Sequence, residues 1–150
     1  MKLITHILFS MALLLVLESL FHVHYLLQVL VLSFVNVMID FFGHSSYRGV
    51  RRTPFTHSLL SASLVGGAFG LAFYFVLPYF GVPTSLIFMV VGGVVAGLSH
   101  LLLDSLTYSG IFILRKRFAI AHFKNGPVDV PFAIVSFVVI LYMLGLFTGV

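Results

Sequence analysis

Apolar residues in this chain run in long uninterrupted blocks, and polar residues gather where the blocks end. The blocks predict helices over 3–20, 24–42, 54–77, 84–108 and 131–149, each near the length of about 20 residues that a helix needs to cross a bilayer. The punctuation between them is specific. Pro78 to Pro83 forms a short turn between the third and fourth segments. Thr53 is placed as the N-cap of the third, with Pro54 at its first helical position. Gly110 suits the end of the fourth, and Gly126-Pro127 marks the loop before Pro131 opens the fifth. The expected fold is all-α: a polytopic transmembrane bundle of about five spans, forming a single integral membrane domain over 1–150. No long-period repeat, low-complexity segment or second domain interrupts it.

Composition agrees. The chain is 61% hydrophobic and only 8% charged, with a mean hydropathy of +1.19, whereas a soluble domain carries about 25% charged residues. There are no cysteines, which excludes thiolate ligands, disulfides and cysteine nucleophiles. Lys2 followed by an apolar run imitates a signal peptide, but Val16-Leu17-Glu18-Ser19 offers no small-residue cleavage site, so an uncleaved first helix is expected.

Charge then fixes an orientation. Lys2 precedes the first segment, Arg48, Arg51 and Arg52 lie between the second and third, and Arg115, Lys116, Arg117 and Lys124 lie between the fourth and fifth. With five spans all eight cations fall on one side, which the positive-inside rule makes cytoplasmic. The expected setting is the cell membrane, with the N-terminus inside. The net charge of +4 is therefore read as topology and headgroup contact, and no nucleic-acid partner is expected.

This topology brings residues far apart in sequence to one membrane depth. His6 starts the first segment, Asp40 ends the second, His57 falls in the first turn of the third, and His100 and Asp104 end the fourth. Glu18, His22 and His24 map to the opposite surface. Ionisable groups near hydrocarbon are costly, so such a cluster is a functional-site hypothesis by default. At about 100° per residue, Gly93, Gly97, His100 and Asp104 share a stripe that should face the bundle interior, as Ser33, Asn36 and Asp40 do on the second segment. Gly66 and Gly70 lie off the His57 face and are expected to pack against a different neighbour.

Imidazole and carboxylate are a standard donor set for zinc, and serve manganese or iron as well. His6, Asp40, His57, His100 and Asp104 are accordingly the expected ligands of a divalent metal. Five donors exceed one tetrahedral ion, so the centre is either binuclear or includes outer partners and a base. Asp40 and His57 are the expected catalytic residues, Asp40 being the first choice for a bridging ligand or base. His44 is a weaker candidate ligand. Arg51 and Arg52, placed before the exposed N–H groups of the third helix, could hold phosphate. Simpler readings compete. The His100–Asp104 pair could be an intrahelical hydrogen bond, His22 could pair with Glu18, and His122 could mark an interfacial loop.

Four stretches carry a family likeness: Thr5-His6-Ile7-Leu8-Phe9-Ser10, Ile39-Asp40-Phe41-Phe42-Gly43-His44, Arg52-Thr53-Pro54-Phe55-Thr56-His57-Ser58 and Ser99-His100-Leu101-Leu102-Leu103-Asp104-Ser105-Leu106-Thr107. On these the chain resembles the YdjM-like family of membrane-bound metal-dependent hydrolases. The resemblance implies that His6, Asp40, His57, His100 and Asp104 form the metal site. The family often has Pro-Asp-x-Asp-His after its second segment, and the second of those carboxylates is missing here. More distantly, the residue order is similar to that of zinc-dependent phospholipase C and P1-type nucleases. The expected function is a hydrolase whose divalent ion activates water against an ester or phosphodiester, with membrane lipid as partner and substrate. A metal or proton transporter, or a non-catalytic membrane adaptor with a structural His/Asp cluster, are the alternatives.

Overall fold

The computed structural model describes residues 1–22, 26–45, 51–52, 56–113, 116–124 and 126–146. The chain order is α1 (Leu3–Leu20), α2 (Leu26–Ser33), α3 (Val35–Gly43), β1 (His44–Ser45), β2 (Arg51–Arg52), α4 (Leu59–Val76), a 3-10 turn (Leu77–Phe80), α5 (Leu86–Ser105), β3 (Ile111–Ile113), β4 (Lys116–Phe118) and α6 (Asp129–Met143). Four helical stretches, Leu3–Leu20, Leu26–Gly43, Leu59–Phe80 and Leu86–Ser105, are long and apolar enough to cross a membrane. The protein is an all-α membrane bundle. The fifth apolar helix, α6, has 15 residues, short of the full thickness of a bilayer core at 1.5 Å per residue.

The bundle buries a set of polar groups beside its apolar core and turns large apolar side chains outward, unlike a soluble protein. His6, Asn36, His100 and Asp104 are buried, while Leu60 (72% exposed), Phe75 (62%) and Val135 (62%) face outward. In lipid, apolar contact between helices gives little net gain, so close approach and interior polar contacts must hold the bundle. The glycines supply the approach. A side chain at Gly66 would run into the Gly93 carbonyl, one at Gly93 into the Gly66 carbonyl, one at Gly70 into the Met89 carbonyl and one at Gly97 into the Ala62 carbonyl. So α4 and α5 meet backbone to backbone.

Several expectations are corrected at this level. The third span begins at Leu59, not at Pro54. Ser58 is its N-cap, with the Ser58 hydroxyl accepting from the Ser61 N–H at 3.3 Å; Thr53 and Pro54 lie outside the described residues. His57 therefore sits on the turn before the helix, and helical phase does not apply to it. For the same reason Gly66 and Gly70 pack on α5, the helix His57 also faces, not on a different neighbour. The fourth span ends at Ser105 rather than 108, and Gly110 is left-handed (φ 59°) in the turn beyond it. The two cation-bearing connections each contain a short antiparallel hairpin, pairing His44 with Arg52 and Ile111 with Phe118.

The second span is broken at Phe34. The Val37 N–H bonds the Phe34 carbonyl (3.0 Å) instead of that of Ser33, and the Asn36 amide takes the Ser33 carbonyl at 2.8 Å. A side chain inserted into the helical ladder is a recognised cause of a bend.

A carboxylate ties α6 to the start of α1. The Asp129 Oδ1 accepts from the Lys2 N–H (2.8 Å) and the Thr5 hydroxyl (3.1 Å), and its Oδ2 from the Gly126 N–H (2.9 Å). Bonds to a charged acceptor contribute more than neutral ones. Asp129→Ala is expected to lower stability by about 2 kcal/mol, read as a fall in thermal midpoint of the detergent-solubilised protein. An unchanged midpoint would show that the latch contributes nothing.

Candidate metal centre

All five donors singled out in the sequence come together at one end of the bundle. His6 stands one turn into α1, Asp40 in the last turn of α3, His57 two residues before α4, and His100 and Asp104 in the last two turns of α5. The turn carrying His57 is held from two sides. The Phe112 N–H donates to the His57 carbonyl at 2.8 Å, and Gly43 gives the turn room, since a Cβ there would collide with Thr56 and the His57 ring. The far side of α5 is buttressed by Ile120 N–H to the Ser105 carbonyl (2.7 Å) and Phe123 N–H to the Leu106 carbonyl (2.9 Å).

The distances form a pattern. His100 Nε2 lies 3.4 Å from Asp40 Oδ1 and 3.3 Å from Asp104 Oδ2. His57 Nε2 lies 3.9 Å and 3.5 Å from the same two oxygens. Zinc bonds nitrogen and carboxylate oxygen at about 2.0–2.2 Å, so donors at the corners of a tetrahedron around it stand about 3.4 Å apart. Three of these four separations, 3.3–3.5 Å, match that spacing and the fourth, 3.9 Å, is longer; the donors fall into two triads that share His100, Asp40–His57–His100 and His6–His100–Asp104, each with its donor atoms within 4.8 Å of one another. Two carboxylates and two imidazoles thus suit a divalent ion in charge as well as in size.

His6 completes the cluster from the other side of Asp104. Its Nε2 lies 3.2 Å from Asp104 Oδ1, the oxygen turned away from His57 and His100. Its ring stacks on that of His100 with centroids 4.1 Å apart, and the Met1 amino group lies 3.7 Å from the same Oδ1. His6, His57, His100 and Asp104 are buried, whereas the Asp40 side chain keeps 23% of its surface exposed. Asp40 is the donor on the open side.

Two neighbours hold the rings. Asn36 Oδ1 lies 3.2 Å from His100 Nδ1, and Thr56 Oγ1 lies 3.0 Å from His57 Nδ1. Metal-binding histidines characteristically have the second ring nitrogen held in this way. In the sequence Asn36 shares a face with Asp40, and Thr56 falls in the stretch Thr56-His57-Ser58, with no separate role for either. A buried amide in an apolar segment was the available signal for Asn36; Thr56 offered none beyond adjacency to His57. The side chains of His44, Arg51 and Arg52 lie outside the described residues, as do His24, Arg48 and Arg115. The backbone still corrects one expectation: Arg51 and Arg52 belong to β2, and residues 53–58 separate them from α4, so they do not adjoin its N-terminus. Glu18 and His22 lie at the opposite end of α1.

A family model described as "Protein of unknown function (DUF1286)" matches residues 1–103. The chain belongs to the DUF1286 family. That match takes in His6, Asn36, Asp40, His57 and His100, and stops one residue before Asp104. No curated protein and no solved structure matches this DUF1286 chain.

Proposed function

We propose that this DUF1286 protein is a membrane-bound metal-dependent hydrolase, similar in chemistry to the YdjM-like enzymes, acting on ester or phosphodiester bonds of lipids at the cytoplasmic face of the cell membrane. The observation that carries the proposal is the clustering of His57, His100, Asp40 and Asp104 at 3.3–3.9 Å, which suits a divalent ion, zinc before manganese or iron. Such an ion supplies Lewis acidity toward a carbonyl or phosphoryl oxygen and lowers the pKa of water.

The chain's own residues supply the rest. His57 and His100 present imidazole nitrogens, and Asp104 holds its place between them and His6. Asp40, on the open side, is the group able to take a proton from water and pass it outward. The β1–β2 pairing sets Arg52 opposite His44, four residues after Asp40, which keeps Arg51 and Arg52 as candidates for the anionic part of a substrate. Lys2, Arg52, Lys116 and Arg117 all lie on elements at the site's end of the bundle, which supports a cytoplasmic site. Opening at a membrane end favours a substrate that arrives in the bilayer.

The test is incubation of the zinc-loaded protein with a panel of phospholipids, read by mass spectrometry. Hydrolysis by the wild type is expected to fall at least 100-fold in His57→Ala, the loss typical of a group acting at the reacting centre. Equal turnover by the variant would remove His57 from the mechanism, and no turnover of any lipid by a zinc-loaded protein would refute the lipid-hydrolase reading.

A further inference from the structure

The hydrogen bonds around Asn36 admit one assignment of donors and acceptors, and it places a proton on His100 Nδ1. The Ser33 carbonyl can only accept, so the Asn36 atom 2.8 Å from it is the amide nitrogen. The same nitrogen donates to Ser10 Oγ at 2.7 Å, and the Ser10 hydroxyl in turn donates to the Ile7 carbonyl at 2.9 Å. Both amide hydrogens are then used, and the amide oxygen faces His100 Nδ1 at 3.2 Å. An amide oxygen only accepts, so Nδ1 carries a proton. Thr56 cannot do this for His57, because a hydroxyl donates or accepts equally well.

We propose that Asn36 is the positioning residue of the centre: through the Ser10–Asn36–His100 chain it holds His100 in the Nδ1–H tautomer and aims the Nε2 lone pair at the space between Asp40 and Asp104. This rests on the metal-centre reading for its purpose, though not for its geometry. His100 Nε2 lies 3.3–3.4 Å from two carboxylate oxygens, one from Asp40 and one from Asp104. Two anionic oxygens facing Nε2 call for positive charge between them, which a proton on Nε2 supplies in the metal-free protein and a metal ion would supply in its place. The bend at Phe34 belongs to the same device, because the carbonyl it releases locks the amide the right way round.

Two substitutions separate positioning from a merely structural role. Asn36→Asp keeps an oxygen for His100 and loses both donors to Ser10 and Ser33. Asn36→Leu loses everything. Zinc affinity, measured by competition with a chelator, is expected to stay within about threefold of wild type in Asn36→Asp and to fall about 10- to 100-fold in Asn36→Leu, the range for loss of an outer partner. In parallel, nitrogen-15 NMR of the metal-free protein should show His100 protonated at Nδ1 in the wild type and in Asn36→Asp, and mixed in Asn36→Leu. Equal loss of zinc affinity in both variants would reduce Asn36 to a cap on the bend and overturn the proposal. So would an Nε2–H tautomer in the wild type, whatever the metal result. A wild type that binds no zinc but shows the expected tautomers would instead sink the metal centre, and the assignment of His100 would stand.

Discussion

Replacing Asp104 with alanine is expected to strip the protein of tightly held metal, from about one equivalent of zinc to less than a tenth, by elemental analysis after gel filtration. Asp104 is the carboxylate that touches all three histidines of the centre. Its Oδ1 meets His6 and its Oδ2 meets both His57 and His100. Removing it takes one corner from the four-donor set and leaves imidazoles around a void in a buried site. Three protein donors would remain for a tetrahedral ion, with half the negative charge gone. Because a truncation of this kind also opens a cavity, Asp104→Asn is the companion variant. It keeps the volume and removes the charge, and should lose metal almost as completely. A full equivalent retained in both would end the metal reading.

The second large effect concerns packing. Gly66→Leu is expected to destabilise the protein by about 3 kcal/mol or more, near the upper range for overpacking, and to lower the thermal midpoint by about 10 °C for a chain of this size. The obstacle is the Gly93 carbonyl, which is backbone and cannot swing aside. Gly67→Ala is the control, since a Cβ there would stand 3.4 Å from a Val94 methyl carbon, an ordinary contact; helix propensity should leave it unchanged or slightly more stable. Similar losses in both variants would mean that α4 and α5 do not meet along this seam. Zinc binding should weaken in Gly66→Leu as well, because α4 anchors the turn that carries His57.

How far the sequence reached depended on which physical rule applied where. Span positions were legible because hydropathy over twenty residues is a strong signal. The clustering of His6, Asp40, His57, His100 and Asp104 followed from alternating span direction, which needs no knowledge of packing. The start of α4 was misread because Thr53-Pro54 is a good local helix signal, while Ser58, the cap in use, has only a hydroxyl to distinguish it. That error propagated. A residue on a turn has no helical phase, so the position of His57 relative to Gly66 and Gly70 could not be inferred from their spacing. The break at Phe34 carries no proline or glycine, and its cause is a side-chain hydrogen bond that only the tertiary arrangement makes intelligible. The hairpins were hidden because two or three paired residues leave no periodicity to detect.

The order of the donors along the chain has a consequence for how the protein is made. His100 and Asp104 are the polar groups most deeply set in α5, a helix that could not rest comfortably in lipid alone. Among the described residues, the donors and the amide whose side chains meet theirs in the finished centre — His6, Asn36, Asp40 and His57 — precede them in the chain. When α5 emerges from the ribosome, its partners have already been synthesised, and the helix can settle against an existing polar surface. Biogenesis and site assembly are then one event, and the first three spans act as the template for the fourth.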